Sequence, residues 1–347
     1  MKKGISLFLC FLLLFSLVIP ASAIPLSSGT DALNAQFLDG ANTKGHDYVY
    51  YSPLKGSNDS TKYPLLIWLH GAGSGKEKRQ QLQWYDVVHF ASDEYQAKFK
   101  QGGCYVFAPR DPGVALSSWE ANGTGTLKAT IDEFIQSQNG HIDMDRIYIS
   151  GYSTGGSMVW NMATAYPNFF AAVVPASALI QPSVSNMKLL KDVSVWILCS
   201  DKDPYPTSGT SSARPVFNEL KSVTNRKQGV RLTTFSEAVL PDGSKKQENG
   251  TVAWDYQHYT WMALTNDMHM YDGSVYKYQT TVDATGATIR FPADGGFISW
   301  LTEQHRTTEQ SSSGGAKKNP FSVFFSYIRS FFIRSFSLIR GFFTFSR

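Results

Sequence analysis

The sequence predicts an α/β fold, a mostly parallel central sheet flanked by helices, and three observations carry that expectation. Between Tyr48 and Glu303, short apolar runs alternate with longer stretches at helical spacing, the pattern left by successive βαβ units. Apolar residues make up 42% and charged residues 17% of the 347, a balance that buries a core rather than staying disordered. One apolar run also leads directly into a glycine-rich turn followed by a helical stretch.

The elements follow in chain order. Lys2 and Lys3, an apolar stretch from Ile5 to Ile19 and the small-residue pattern Ala21-Ser22-Ala23 read as a secretory signal peptide over 1–23. The run is short for a membrane span and ends at Pro20. A catalytic domain is expected over 24–310. Within it Leu65 to Leu69, Tyr105 to Ala108, Ile147 to Ile149 and Val193 to Leu198 read as buried strands, and Val230 to Phe235 is strand-like. Leu127 to Gln138 and Met158 to Tyr166 carry helical spacing. Ser311 to Gly315 opens a flexible linker, 311–319, ahead of a tail over 320–347. Cys10 falls in the expected signal, and Cys104 and Cys199 sit in apolar runs as buried free thiols. No metal-ligand or disulfide spacing is present, and neither a metal nor a cofactor is implied.

The formal charge of +4 misleads. Lys2 and Lys3 contribute +2, and Lys317, Lys318, Arg329, Arg334, Arg340 and Arg347 contribute +6 with no acid beside them. The remaining residues therefore carry −4. That balance gives the main domain no electrostatic basis for binding nucleic acid.

Gly151-Tyr152-Ser153-Thr154-Gly155-Gly156 matches G-x-S-x-G, and the strand Ile147 to Ile149 before it and the helical run after it supply the required context. A sharp strand-to-helix turn lifts a serine hydroxyl out of the sheet, so Ser153 is the expected nucleophile. The inert alternative is a glycine-rich turn with a spectator serine. His70-Gly71-Ala72-Gly73 closes the strand Leu65 to Leu69 and offers a backbone N–H for an oxyanion. Ala72 is preferred over Gly71 as that donor, with the N–H of Thr154 as the second. His70 itself reads as structural. A phosphate-binding loop over Gly71 to Lys76 fails, because His70 and Glu77 stand where Gly and Ser or Thr are needed.

A serine hydroxyl needs a histidine to take its proton and a carboxylate to orient that histidine. Asp203, at the end of the strand Val193 to Leu198 and before Pro204, is the preferred acid, with Asp201 the alternative. His258 is the preferred base, His269 the fallback, and His305 reads as a surface residue. Trp119 is a candidate substrate-binding platform. Trp84 and Trp160 are others, and core packing is the preferred reading for all three.

These residues resemble the polyhydroxybutyrate-depolymerase-like and feruloyl-esterase-like branch of the secreted α/β-hydrolases. The likeness is carried by Tyr63 to Gly73, Arg146 to Ala176, Val193 to Pro204 and His258 to Trp261, within a span from Tyr48 to Glu303. It is strongest in Ile142 to Ile149 before the elbow and Tyr166 to Pro175 after it. Lys202-Asp203-Pro204 matches the family's acid motif and favours Asp203 over Asp201. The resemblance implies an α/β-hydrolase fold and a serine carboxylic-ester hydrolase working through an acyl-enzyme. Thr154 departs from it, since members commonly carry methionine there. So do the long polar segment Leu240 to Asp255 and the enlarged region Met268 to Gly295, both of which reshape the expected cleft.

In the tail, Phe324, Phe325, Ile328, Phe331, Phe332 and Phe336 fall on one side of a helical wheel, and Arg329, Arg340 and Arg347 on the other. Val323, Ile333 and Ser335 break the pattern. The arrangement predicts an interfacial helix touching a membrane surface, and a helix docked on the domain is the alternative. The expected partner of the domain is an ester, small or linked to a polymer or polysaccharide. A prolyl-oligopeptidase-like serine peptidase and a non-catalytic surface-binding protein on a hydrolase scaffold are the other readings.

Overall fold

The computed structural model describes residues 30–306, apart from 41–45, 57–58, 78, 84–86, 112–117, 241–243, 249, 269–277 and 292. The expected signal segment, linker and amphipathic tail, together with Trp84 and His269, lie outside the described residues.

Ten strands form one sheet among the described residues: β1 (Leu38–Gly40), β2 (Asp47–Tyr51), β3 (Tyr63–Leu69), β4 (Tyr105–Arg110), β5 (Ile142–Tyr152), β6 (Ala172–Ala176), β7 (Ser194–Ser200), β8 (Val230–Phe235), β11 (Gln279–Asp283) and β12 (Thr288–Ile289). A separate small hairpin joins β9 (Gln247–Glu248) to β10 (Thr251–Val252). The sheet order is β1-β2-β4-β3-β5-β6-β7-β8-β11-β12. The six strands from β4 to β8 are parallel, and an antiparallel pair closes each edge. The mostly parallel sheet is thus present, and its antiparallel margins are a finding that the apolar runs do not announce.

Strand alternation divides the core between the two faces. Leu65, Ile67 and Leu69 join Ile147, Ile149, Val173 and Val195 on one face, under Leu127, Ile131 and Phe134 of the helix Ser118–Ser137 and Met158 and Met162 of the helix Thr154–Ala165. Leu66 and Trp68 join Tyr148, Val174 and Leu198 on the other, under Phe90 and the helix Phe297–Glu303. Truncating any of these leucines, isoleucines or methionines to Ala costs about 2–5 kcal/mol. The helix Ser118–Ser137 is two segments, broken at Gly123, whose φ of 71° only glycine adopts freely. Gln304 fixes the last helix to the sheet. Its backbone oxygen accepts from the Tyr148 hydroxyl (3.0 Å), and its side-chain oxygen accepts from the Ser194 hydroxyl (2.6 Å). Cys104 and Cys199 are buried free thiols, as expected, and burial drives both upward in pKa, Cys199 to about 12.

Candidate active site

Ser153, the turn carrying Ala72, and Asp203 sit just beyond the C-terminal ends of the parallel strands β5, β3 and β7. β5 ends at Tyr152, and the helix Thr154–Ala165 begins one residue after Ser153. Ser153 takes φ 57° and ψ −117°, outside the regions an L-residue prefers. The turn is this tight because the helix packs onto the end of β3. A Cβ on Gly155 would lie 2.2 Å from the Leu69 backbone oxygen, and one on Gly151 would lie 2.8 Å from the Gly155 backbone. Hydrogen bonds hold the elbow from both sides. The Ser153 N–H donates to the Ala176 oxygen at 3.0 Å, and the Ser153 oxygen accepts from the N–H groups of Ser157 (3.0 Å) and Leu179 (3.2 Å). The Thr154 N–H is at the first turn of the helix, where backbone donors have no intrahelical acceptor and the helix dipole is positive. The Thr154 side chain is buried.

The turn after β3 is built around His70. Its ring is fully buried. The Asp111 N–H donates to Nε2 at 3.0 Å, and Nδ1 donates to the Gly71 oxygen at 2.7 Å. Both nitrogens are thereby committed and the ring is neutral, its pKa lowered to about 4 chiefly by burial. His70 shapes the loop carrying Gly71 and Ala72 and has no free nitrogen for proton transfer, in keeping with its structural reading. The Trp119 indole N–H donates to the His70 oxygen at 2.9 Å, and the ring packs 4.9 Å from the imidazole. Trp119 is only 1% exposed. It is a core residue that braces the turn after β3, the reading preferred for it over a substrate platform. Trp160 is buried as well.

Asp203 and His258 meet. The carboxylate is fully buried, and its Oδ2 accepts from His258 Nδ1 at 2.7 Å while its Oδ1 accepts from the Tyr205 N–H at 3.0 Å. Donation from Nδ1 leaves Nε2 of a neutral imidazole as the basic nitrogen. Nε2 is buried and makes no hydrogen bond among the described residues. The ring of Tyr152, immediately before Ser153, lies 4.9 Å from the His258 ring, which sets the histidine beside the elbow. Asp201 is exposed, with its N–H donating to the Phe235 oxygen (2.8 Å); His305 is exposed too.

Several positioning residues escaped sequence reasoning. The Gln257 side-chain oxygen accepts from the Ser200 hydroxyl (3.0 Å) and the Ala238 N–H (2.9 Å), pinning the turn that carries His258 to the ends of β7 and β8. The hydroxyls of Ser177 and Thr260 meet at 2.8 Å and tie the β6 loop to the same turn. Tyr205 covers His258 at 4.7 Å, and Tyr152 packs against Trp261 at 3.9 Å. The available signal was the aromatic density around His258 itself.

Comparison with known proteins agrees with this architecture. Residues 119–228 match the prolyl oligopeptidase family model, a stretch that includes the elbow and Asp203. A thermostable esterase of known structure superposes with a TM-score of 0.56 at 24% identity, over 79% of this chain and 64% of that one. The chain has the α/β-hydrolase fold. Within that fold, the chain is 30% identical over 136 residues to a bifunctional acetylxylan esterase/xylanase of Neocallimastix patriciarum, covering 38% of this chain and 18% of that protein. It is 24% identical over 153 residues to a poly(3-hydroxybutyrate) depolymerase of Ralstonia pickettii, covering 40% and 30% respectively. The chain thus spans less than a third of the length of either relative. Among the described residues of this α/β-hydrolase fold, no cluster of three or more His, Cys, Asp or Glu is arranged to hold a metal.

Proposed function

We propose that the protein is a serine carboxylic-ester hydrolase. The observation that carries this is the buried Asp203–His258 pair, 2.7 Å apart beside a strained serine elbow. In this reading Ser153 Oγ attacks the acyl carbon as His258 Nε2 takes its proton. Asp203 keeps the proton on Nδ1 and stabilises the imidazolium. The N–H groups of Ala72 and Thr154 receive the charge on the acyl oxygen. His258 then protonates the departing alcohol, and a water activated by the same nitrogen releases the acid and regenerates Ser153. The names of the relatives support an ester substrate, free or carried on a polymer.

A fluorophosphonate probe labels Ser153 in this mechanism, and Ser153→Ala abolishes both labelling and hydrolysis across a panel of esters. Label on any other serine overturns the elbow assignment. The match to the prolyl oligopeptidase family favours one second reading, an amide-cleaving enzyme on the same machinery. Rates on an ester and an amide of one acyl group separate the two.

The proposal extends to location. Lys2, Lys3 and the apolar run ending at Ala21-Ser22-Ala23 support export, and the aromatic side of 320–347, with arginines on the opposite side, supports attachment to an anionic membrane surface.

A further inference from the structure

The indole of Trp254 is 70% exposed, the most of any large hydrophobic side chain among the described residues. A tryptophan left this open in water gives up a large gain from burial, so an exposed one beside a reaction centre asks for an occupant. Trp254 is also held in place. It follows the β9–β10 hairpin, whose ends are tied by the Ala253 N–H to the Lys246 oxygen at 2.8 Å. The base of the hairpin is clamped by Glu237, which accepts from Lys245 and from the Tyr256 hydroxyl, each at 2.9 Å. The Trp254 ring meets Tyr205 edge-on at 5.7 Å, and Tyr205 covers His258 at 4.7 Å. One turn of chain, closed by the His258 N–H to the Asp255 oxygen at 2.7 Å, separates the indole from the histidine.

A second exposed apolar side chain borders the same centre. Ile180 is 51% exposed and anchored to the elbow helix, its N–H donating to the Ser157 hydroxyl at 2.9 Å. The amide of Gln181 reaches the Thr207 oxygen at 3.5 Å, joining the Ile180 loop to the turn that carries Tyr205. One apolar surface thus stands on the segment that carries His258, and the other on the loop whose Leu179 N–H donates to the Ser153 oxygen at 3.2 Å.

We infer that Trp254 is the specificity-determining residue of this site, stacking against the apolar face of a substrate ring, a sugar or an aryl group, next to the scissile ester. The inference rests on the ester-hydrolase reading and deepens it. Both ring types present an apolar face to an indole, and a short aliphatic ester presents none.

Kinetics on the full chain test it. The substrates are an acetylated xylo-oligosaccharide for the sugar, methyl cinnamate for the aryl group and ethyl acetate as the ringless reference. In Trp254→Ala the ratio of kcat/KM for the matching ring substrate to that for ethyl acetate falls about tenfold, through KM, and Trp254→Phe recovers part of it. Val252→Ala, exposed on the same hairpin, leaves the ratio as it is in the parent. A ratio unmoved in Trp254→Ala for both rings overturns the inference, as does an equal fall in Val252→Ala. Binding is read separately, so that it survives failure of the ester reading. Ser153→Ala is titrated with xylo-oligosaccharide and with cinnamate while tryptophan fluorescence is followed, against Ser153→Ala carrying Trp254→Phe. A change that disappears with Trp254 supports the inference and names the ring. No difference between the two proteins for either ligand overturns it, whatever the wild type hydrolyses.

Discussion

Ser153 holds φ 57° and ψ −117°, the conformation of the first central residue of a type II′ turn, where glycine is at home and serine is strained. The side chain is therefore kept at a cost in stability. Ser153→Gly and Ser153→Ala both lose activity, but Ser153→Gly is the more stable of the two by about 1 kcal/mol, read from denaturant midpoints. Asp203→Asn lowers kcat by about 10⁴, because the wrong tautomer of His258 then prevails, while Asp201→Asn is nearly silent in the same assay. His70 makes a pH-dependent contribution. Above pH 6.5 it is neutral whether the chain is folded or not, and between 6.5 and about 4 only the unfolded chain takes up the proton. Stability thus falls with acidification across that window, by on the order of 3 kcal/mol in full. The lowered pKa of buried His46 adds in the same direction. Thermal melts from pH 7 to pH 5 show a shallower decline in His70→Gln than in the wild type. At this scale the sequence pointed to Asp203 and His258 through chain order and strand position, both local signals. Trp119 stayed open between core and platform because its burial depends on tertiary packing against the turn after β3, which no local pattern records.

The elbow works as an element only because three glycines let a helix seat against strand ends. Gly155→Ala drives a Cβ to 2.2 Å from the Leu69 oxygen and 2.5 Å from the His70 oxygen, both backbone atoms without room to move. The substitution costs about 3 kcal/mol, at the upper end for overpacking, and displaces the turn that offers the Ala72 N–H. Gly156→Ala, whose Cβ meets the Ala176 oxygen at 2.9 Å, is the milder change; urea midpoints and kcat of the pair rank them. The buried parallel strands were legible because they are continuous apolar runs, and Val230–Phe235 coincides with its sequence reading. β6 was not, since it carries Pro175, a residue that argues against a central strand. The ladder to β7 pairs Ala172, Val173 and Ala176 and skips Val174 and Pro175, so the missing N–H falls in a gap. β1, of three residues, and β12, of two, are too short to leave a periodic signal, and they form only because β2 and β11 present edges to pair with.

For the molecule as a whole, the charge division proposed from the sequence has a measurable consequence. Apart from residues 1–23 and those beyond 311, the chain carries −4 and is repelled by anionic lipid, so attachment would fall to the tail alone. If residues 320–347 form the proposed anchor and 311–319 the proposed linker, truncation at Ser311 abolishes co-sedimentation with anionic vesicles and leaves kcat on a soluble ester within about twofold. Equal sedimentation of the two forms overturns the anchor. Fold class was readable because alternation of strands and helices is a property of the entire chain, whereas the aromatic cover of His258 assembles from β5, the β7 loop and the β9–β10 arm and is invisible until they converge. The two buried thiols carry a last consequence. Cys104 lies in the layer of core shared by β4 and the N-terminal helices, and Cys199 in the opposite layer beneath the helix Thr210–Val223. Neither reacts with a bulky disulfide reagent while its layer stays closed, because each is inaccessible and protonated. The rate at which each thiol is modified in native buffer therefore clocks the opening of its own half of the protein. Matching rates would mean that the two faces of the sheet come apart together, and diverging rates would identify the half that yields first.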